Sequence, residues 1–112
     1  MTASVTAMCG CDAANDDRKA AGVDPGIKAA NLRRLRRIEG QVRGLQKMVE
    51  DDRYCADIIT QVASVQEALR GVARQLMRNH LKHCAATAIK QGEPEAQAMY
   101  DELLDLVYKH LR

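Results

Sequence analysis

Three side chains in this 112-residue chain are suited to one soft metal ion: Cys55, His80 and Cys84. His80 and Cys84 stand four residues apart, so on a helix both leave the same face about one turn apart. That pair alone also reads as a surface histidine beside a small core hydrophobe. Cys55 shifts the balance. It precedes His80 by twenty-five residues, and a straight helix sets them roughly 38 Å apart at 1.5 Å per residue. They cannot share a metal within one chain unless the helix is broken. If two such helices pair antiparallel, Cys55 of one chain lies beside His80 and Cys84 of the other, and twofold symmetry makes two identical sites. Thiolates favour Cu(I); Zn(II) competes but prefers a fourth ligand, whereas two thiolates and an imidazole suit trigonal Cu(I). Further donors exist. His83 points about 100° away from Cys84 and is expected to face solvent, His110 lies near the end, and Cys9-Gly10-Cys11 could chelate metal, deliver it or do nothing.

The elements that must position these residues are helical. Residues 1–23 are polar, Ala-rich and aperiodic and read as a disordered tail, leaving 24–112 as one domain. Asp24-Pro25 is a helix start, an N-cap carboxylate followed by proline in the first turn. Leu32, Leu35, Ile38, Val42, Leu45 and Val49 then step by three or four, which predicts a helix to about Glu50. Asp51-Asp52 break the pattern and are read as the cap of a second helix. Its stripe runs through Ile58, Ile59, Val62, Val65, Leu69, Val72, Leu76 and Leu81 towards Ile89, with Gly71 the only internal weak point. Gly92 ends it, and Pro94 starts a third helix through Met99, Leu103, Leu106 and Leu111. Three helices, one very long, make a poor closed monomer, so an all-α oligomer is expected, with two long helices burying each other's surplus stripe.

Composition narrows the function. The chain is 46% hydrophobic yet has no Phe, no Trp and three Tyr, which argues against base-stacking nucleic-acid modules. Its net charge is only +2, but Lys28, Arg33, Arg34, Arg36, Arg37, Arg43 and Lys47 face a single acid, Glu39, over twenty residues. So lopsided a stretch suits an anionic polymer better than a merely solvated face. Arg34 and Arg37 are the leading phosphate contacts, with Arg33, Arg36 and Arg43 in support and Arg70 and Arg74 extending the patch. No apolar run approaches membrane-spanning length and no signal-peptide layout opens the chain, so a cytoplasmic location without membrane contact is expected. Cysteines there are ligands or sensors rather than staples. There is no phosphate loop, no nucleophile–base–carboxylate set and no hydrolytic zinc motif, so no enzyme is read here.

Residues 31–44 (NLRRLRRIEGQVRG), Arg53-Tyr54-Cys55, Gln61 to Leu69, and Asn79-His80-Leu81-Lys82-His83-Cys84 together resemble the CsoR/RcnR family of metal-responsive repressors. The likeness covers about residues 28–111, and the Cys, His, Cys pattern is similar to the copper-sensing CsoR branch. The resemblance implies a dimer of dimers built on an antiparallel four-helix bundle. It also implies that the metal-free form binds double-stranded operator DNA and that Cu(I) releases it, derepressing efflux or resistance genes. By position, Cys55, His80 and Cys84 become the ligands, and Tyr54 and Glu102 the groups behind the ligating imidazole; Glu102 aligns with a short insertion around 92–97. A ligating imidazole donates its other N–H to an oxygen, which fixes its tautomer.

Other readings have discriminating features. A nickel or cobalt sensor wants more nitrogen ligands, and no histidine precedes His80. A persulfide sensor uses two cysteines and dispenses with His80. A copper chaperone or buffer would make use of Cys9 and Cys11 but has no need of the arginines.

Overall fold

The computed structural model describes residues 18–110. They form α1 (Pro25–Glu50), α2 (Cys55–Asn79), a π-helical segment (His80–Ala85), α3 (Ala86–Lys90) and α4 (Glu95–His110). No strand occurs among the described residues. The all-α expectation therefore holds. The long second helix is present as an unbroken helical run over 55–90, but its wall changes pitch at the π segment. The run of apolar positions does not mark that change, because π turns occur as short single insertions inside otherwise α-helical stretches.

The helix ends follow local chemistry. Asp24 caps α1, its Oδ1 accepting from the backbone N–H groups of Gly26 at 2.9 Å and Ile27 at 3.2 Å, and Pro25 takes the first helical position. At the other end the expectation for Asp51-Asp52 needs correcting. These residues close α1 rather than open α2. Arg53 N–H donates to Met48 O and Asp52 N–H to Val49 O, the paired bonds of a Schellman turn, with Asp52 in the left-handed region at φ 55° where glycine is usual. The N-cap of α2 is Tyr54, which makes no side-chain cap bond. Gly92 ends α3 with φ 87°, as its position in the sequence indicates.

α1 and α2 form a hairpin whose core is Ile38 against Val65 and Val72, flanked by Leu45 and Ala68. Val42, Leu45 and Val49 approach Ile58 and Val62 near the turn, while the start of α1 meets the end of α2. α4 folds back against α3, brings Glu102 to His80 of the π segment and buries Ala96. Little else is covered. On α2 the buried positions are spaced by seven, at Val65, Val72 and Asn79. A second set with the same spacing, Val62, Leu69 and Leu76, is exposed, as are Leu32, Leu35, Val42 and Val49 of α1. Each such side chain, if fully buried, would contribute about 1.5–3 kcal/mol.

Asp52 carries a conformational penalty that glycine would not. Asp52→Gly is expected to stabilise the fold by up to about 1 kcal/mol, read as a raised urea midpoint at fixed protein concentration. A lowered midpoint would show that the aspartate side chain contributes more than its backbone costs.

Candidate metal centre

The π segment carries His80 and Cys84, and both side chains line one apolar cleft of about 380 Å³ with Leu76, Met77, Leu106 and His110. On its other side they share a second hollow with Met99 and Glu102 of α4 and with residues 18–21. His80 is largely covered, and its Nε2 lies 2.9 Å from Glu102 Oε2. The approach is off the direction a ring N–H requires, so Nε2 is buried in close contact with the carboxylate yet makes no hydrogen bond. Cys84 is a half-buried free thiol, and its Sγ accepts the backbone N–H of Ala21 at 3.4 Å.

Cys55 and Tyr54 are elsewhere. Both are exposed at the opposite end of α2, roughly 38 Å of helix from His80. Among the described residues no three His, Cys, Asp or Glu side chains converge as a metal-binding set. One chain thus brings together His80, Cys84 and Glu102, and leaves Tyr54 and Cys55 apart. What it offers is a thiol and an imidazole facing an apolar cleft, with a carboxylate behind the ring. This donor set fits a soft ion whose coordination another thiolate completes. Cys9 and Cys11 lie outside the described residues.

Several residues at this centre had no assigned part in the sequence reading. Asn79, at the α2–π junction, is buried; its Oδ1 accepts Asp24 N–H at 2.8 Å and its Nδ2 donates to Gly22 O at 3.0 Å. A signal was available, since an asparagine at the core spacing of Val65 and Val72 requires polar partners. Lys82 Nζ donates to Asp24 Oδ2 at 2.9 Å. His83, expected to face solvent, is instead half-buried with Nε2 enclosed. Gly22 lies against it, and a Cβ at Gly22 would come within 2.9 Å of His83 Nδ1. The segment ahead of α1 covers this histidine, which helical phase alone could not reveal. The Lys82 ammonium, and after it the N–H groups of Ile27 and Gly26, hold the Asp24 carboxyl below its ordinary pKa.

The basic face divides in two. Arg43 pairs with Glu39 at 3.3 Å and Arg70 with Glu67 at 3.2 Å, both on the exposed surface. Arg33, Arg36, Arg37 and Arg74 are exposed, and none of them has a carboxylate within 4 Å among the described residues. Arg34 is half-buried and lies across α2 at Gly71, where a Cβ would sit 3.4 Å from its guanidinium. The glycine read as a weak point of the long helix is the place where Arg34 crosses it, beside Arg70 and Arg74.

Comparison with known proteins follows the same lines. Residues 27–109 match the family model described as metal-sensitive transcriptional repressor. The chain is 57% identical over 76 residues to the copper-sensing transcriptional repressor CsoR of Bacillus subtilis, covering 68% of this chain and 73% of that protein. It is 49% identical over 70 residues to the copper-sensing transcriptional repressor RicR of Mycobacterium tuberculosis, covering 62% and 73%. The crystal structure of the copper-sensing repressor CsoR with Cu(I) from Geobacillus thermodenitrificans superposes with a TM-score of 0.71 at 43% identity, covering 81% of this chain and 93% of that one.

The Asp24–Lys82 contact sets a pH dependence. Because the folded carboxyl titrates below its ordinary value, its contribution to stability is whole above the unfolded carboxylate pKa and is lost as pH falls through the lowered one. Lys82→Met is expected to move the Asp24 titration upward in carboxyl-carbon NMR. An unmoved midpoint would show that the ammonium is not its cause.

Proposed function

The chain belongs to the family of metal-sensitive transcriptional repressors, and we propose that it is a Cu(I)-responsive one, binding operator DNA when metal-free and leaving it when Cu(I) is bound, so that copper efflux or resistance genes are derepressed. The observation that carries this reading is the pairing of His80 and Cys84 on one cleft, with Glu102 behind the imidazole. Copper-sensing relatives of high identity support the choice of metal. No helix among the described residues is long and apolar enough to cross a membrane, in keeping with a cytoplasmic site of action.

The third ligand comes from a second copy. Cys55 belongs to the same seven-residue series as the uncovered Val62, Leu69 and Leu76 of α2. Antiparallel pairing of two such stripes about a twofold axis near Leu69 sets Cys55 of one chain level with the His80–Cys84 turn of the other. The pairing would cover the exposed apolar faces and complete two sites per dimer, and a dimer of dimers presents the arginines on a larger surface.

His80 ties the metal state to α4. With Nε2 already beside Glu102, Nδ1 is the ring nitrogen free for coordination, and its use leaves the ring proton on Nε2, facing the carboxylate. The off-line contact at 2.9 Å then becomes a directed, charge-assisted hydrogen bond. Tyr54 of the second copy, one residue before its Cys55, comes to the same place. Cu(I) supplies the charge and the coordination that draw the two thiolates and the imidazole together. Exposed Arg33, Arg36, Arg37 and Arg74 with Arg34 meet phosphates, while Arg43 and Arg70 must first leave Glu39 and Glu67. Binding is reciprocal: whatever factor copper takes from DNA affinity, DNA takes from copper affinity. A thiol-only chemistry between Cys55 and Cys84 would give the His80–Glu102 contact no part.

Fluorescence anisotropy of operator-like DNA, with anaerobic titration of Cu(I), Zn(II) and Ni(II), decides the matter. Cu(I) is expected to release the wild-type protein, Cys55→Ala and Cys84→Ala to stay bound, and Glu102→Ala to hold copper but release poorly. A wild-type protein indifferent to Cu(I) would sink the reading. For the DNA face, Arg34→Ala is expected to weaken binding and to flatten the slope of log K against log salt by about one per lost phosphate contact. Unchanged affinity and slope would remove Arg34 from the interface.

A further inference from the structure

The buried amide of Asn79 is unusual for its place. It lies inside a helical run, where asparagine is a poor helix former, and burial of an unpartnered amide would cost more than its propensity. Both ends are used, and both on one short piece of backbone: Oδ1 takes Asp24 N–H and Nδ2 gives to Gly22 O. Two side chains of the π segment reach the same piece. Lys82 binds the Asp24 carboxylate, and Cys84 Sγ accepts Ala21 N–H at 3.4 Å. Gly22 allows the close approach, because any side chain there would run into the His83 ring. Asp24, finally, is the cap of α1. The residue that anchors the first turn of the arginine helix is thus held by the turn that carries His80 and Cys84.

We propose that Asn79 is a positioning residue that clamps residues 21–24 onto the π segment, so that the Cys84 sulfur and the first turn of α1 move as one unit. The inference rests on the reading of Cys84 as a metal ligand and of α1 as the DNA helix. Ala21 N–H supports the sulfur from the side of the strap, as outer groups do around ligating thiolates. When Cys84 is drawn towards donors on another chain, Ala21 N–H follows it or loses it. In either case the Gly22–Asp24 backbone shifts against Asn79, and the capped turn of α1 shifts with it. This route runs through the amino-terminal strap and is separate from the His80–Glu102 contact, which acts on α4.

The test uses the full chain with Asn79→Leu, which removes both amide bonds at similar volume, and Gly22→Val, which pries at the strap from outside the helices. Backbone amide exchange at Ala21, Asp24 and Ile27 is read in the metal-free protein. Cu(I) affinity is read by competition with a chromogenic chelator, and DNA affinity by anisotropy with and without Cu(I). Both variants are expected to speed exchange at Ala21 and Asp24 by about tenfold or more, to keep binding Cu(I) and DNA separately, and to cut the ratio of metal-free to copper-bound DNA affinity by about fivefold or more. An unchanged ratio with accelerated exchange overturns the coupling role. Unchanged exchange in both variants overturns the clamp itself. Failure of the functional reading looks different: wild-type protein then ignores Cu(I) on DNA, while the exchange arm, with Cys84→Ala added to release Ala21, still decides the clamp without copper or operator.

Discussion

A stiff spacer governs this molecule. About 38 Å of continuous helix separates Cys55 from His80, and no turn in α2 brings them closer. A flexible chain carrying the same residues could wrap them around one ion, but a helix cannot. Among the described residues Cys55 therefore stays at one end of the long helical run and His80 and Cys84 at the other, which is why we propose that a second molecule with its ends reversed completes the set of three. On that proposal, ligand binding and assembly are parts of one arrangement. In the proposed dimer each thiolate from the start of α2 would meet the imidazole and thiolate of another chain's π segment.

The apolar surface makes the same demand independently. Within the hairpin, only Ile38, Val65 and Val72 form a closed cluster, too little for a stable small domain. The uncovered stripe of Val62, Leu69 and Leu76 continues the spacing of Cys55, so the face that wants covering is also the face that carries the proposed distant ligand. Hydrophobic burial and metal chemistry then select one geometry instead of competing for two. α4 adds a lid over the π segment, with Ala96 packed inside and Glu102 directed at His80.

Charge is organised on the same scaffold. Of the seven arginines expected to meet DNA, Arg43 and Arg70 are held by neighbouring carboxylates, in exposed pairs worth a few tenths of a kcal/mol. The exposed Arg33, Arg36, Arg37 and Arg74 have no such partner among the described residues, and Arg34 is laid across Gly71. A surface of that kind is assembled from two helices, so its shape depends on how α1 sits against α2. At the start of α1 that seating is governed by Asp24, with Asn79 and Lys82 holding it from the opposite helix.

Local pattern alone was enough for much of this. The three-and-four spacing from Leu32 to Val49, the Asp24-Pro25 start and Gly92 at φ 87° each act within a turn or two of helix, so sequence reveals them directly. The i, i+4 relation of His80 and Cys84 and the length between Cys55 and His80 are also consequences of helical geometry, and that length is what leads us to propose a second chain as the source of a third ligand. Asp51-Asp52 misled because the same residues that can open one helix can close another, and only backbone hydrogen bonds from Asp52 and Arg53 distinguish the two. The burial of His83, the seat of Arg34 on Gly71 and the grip of Asn79 on Gly22 and Asp24 were decided by tertiary structure. Each depends on a group that lies dozens of residues away in the chain and close in space, and periodicity carries no information about which distant backbone will come to rest against a given side chain.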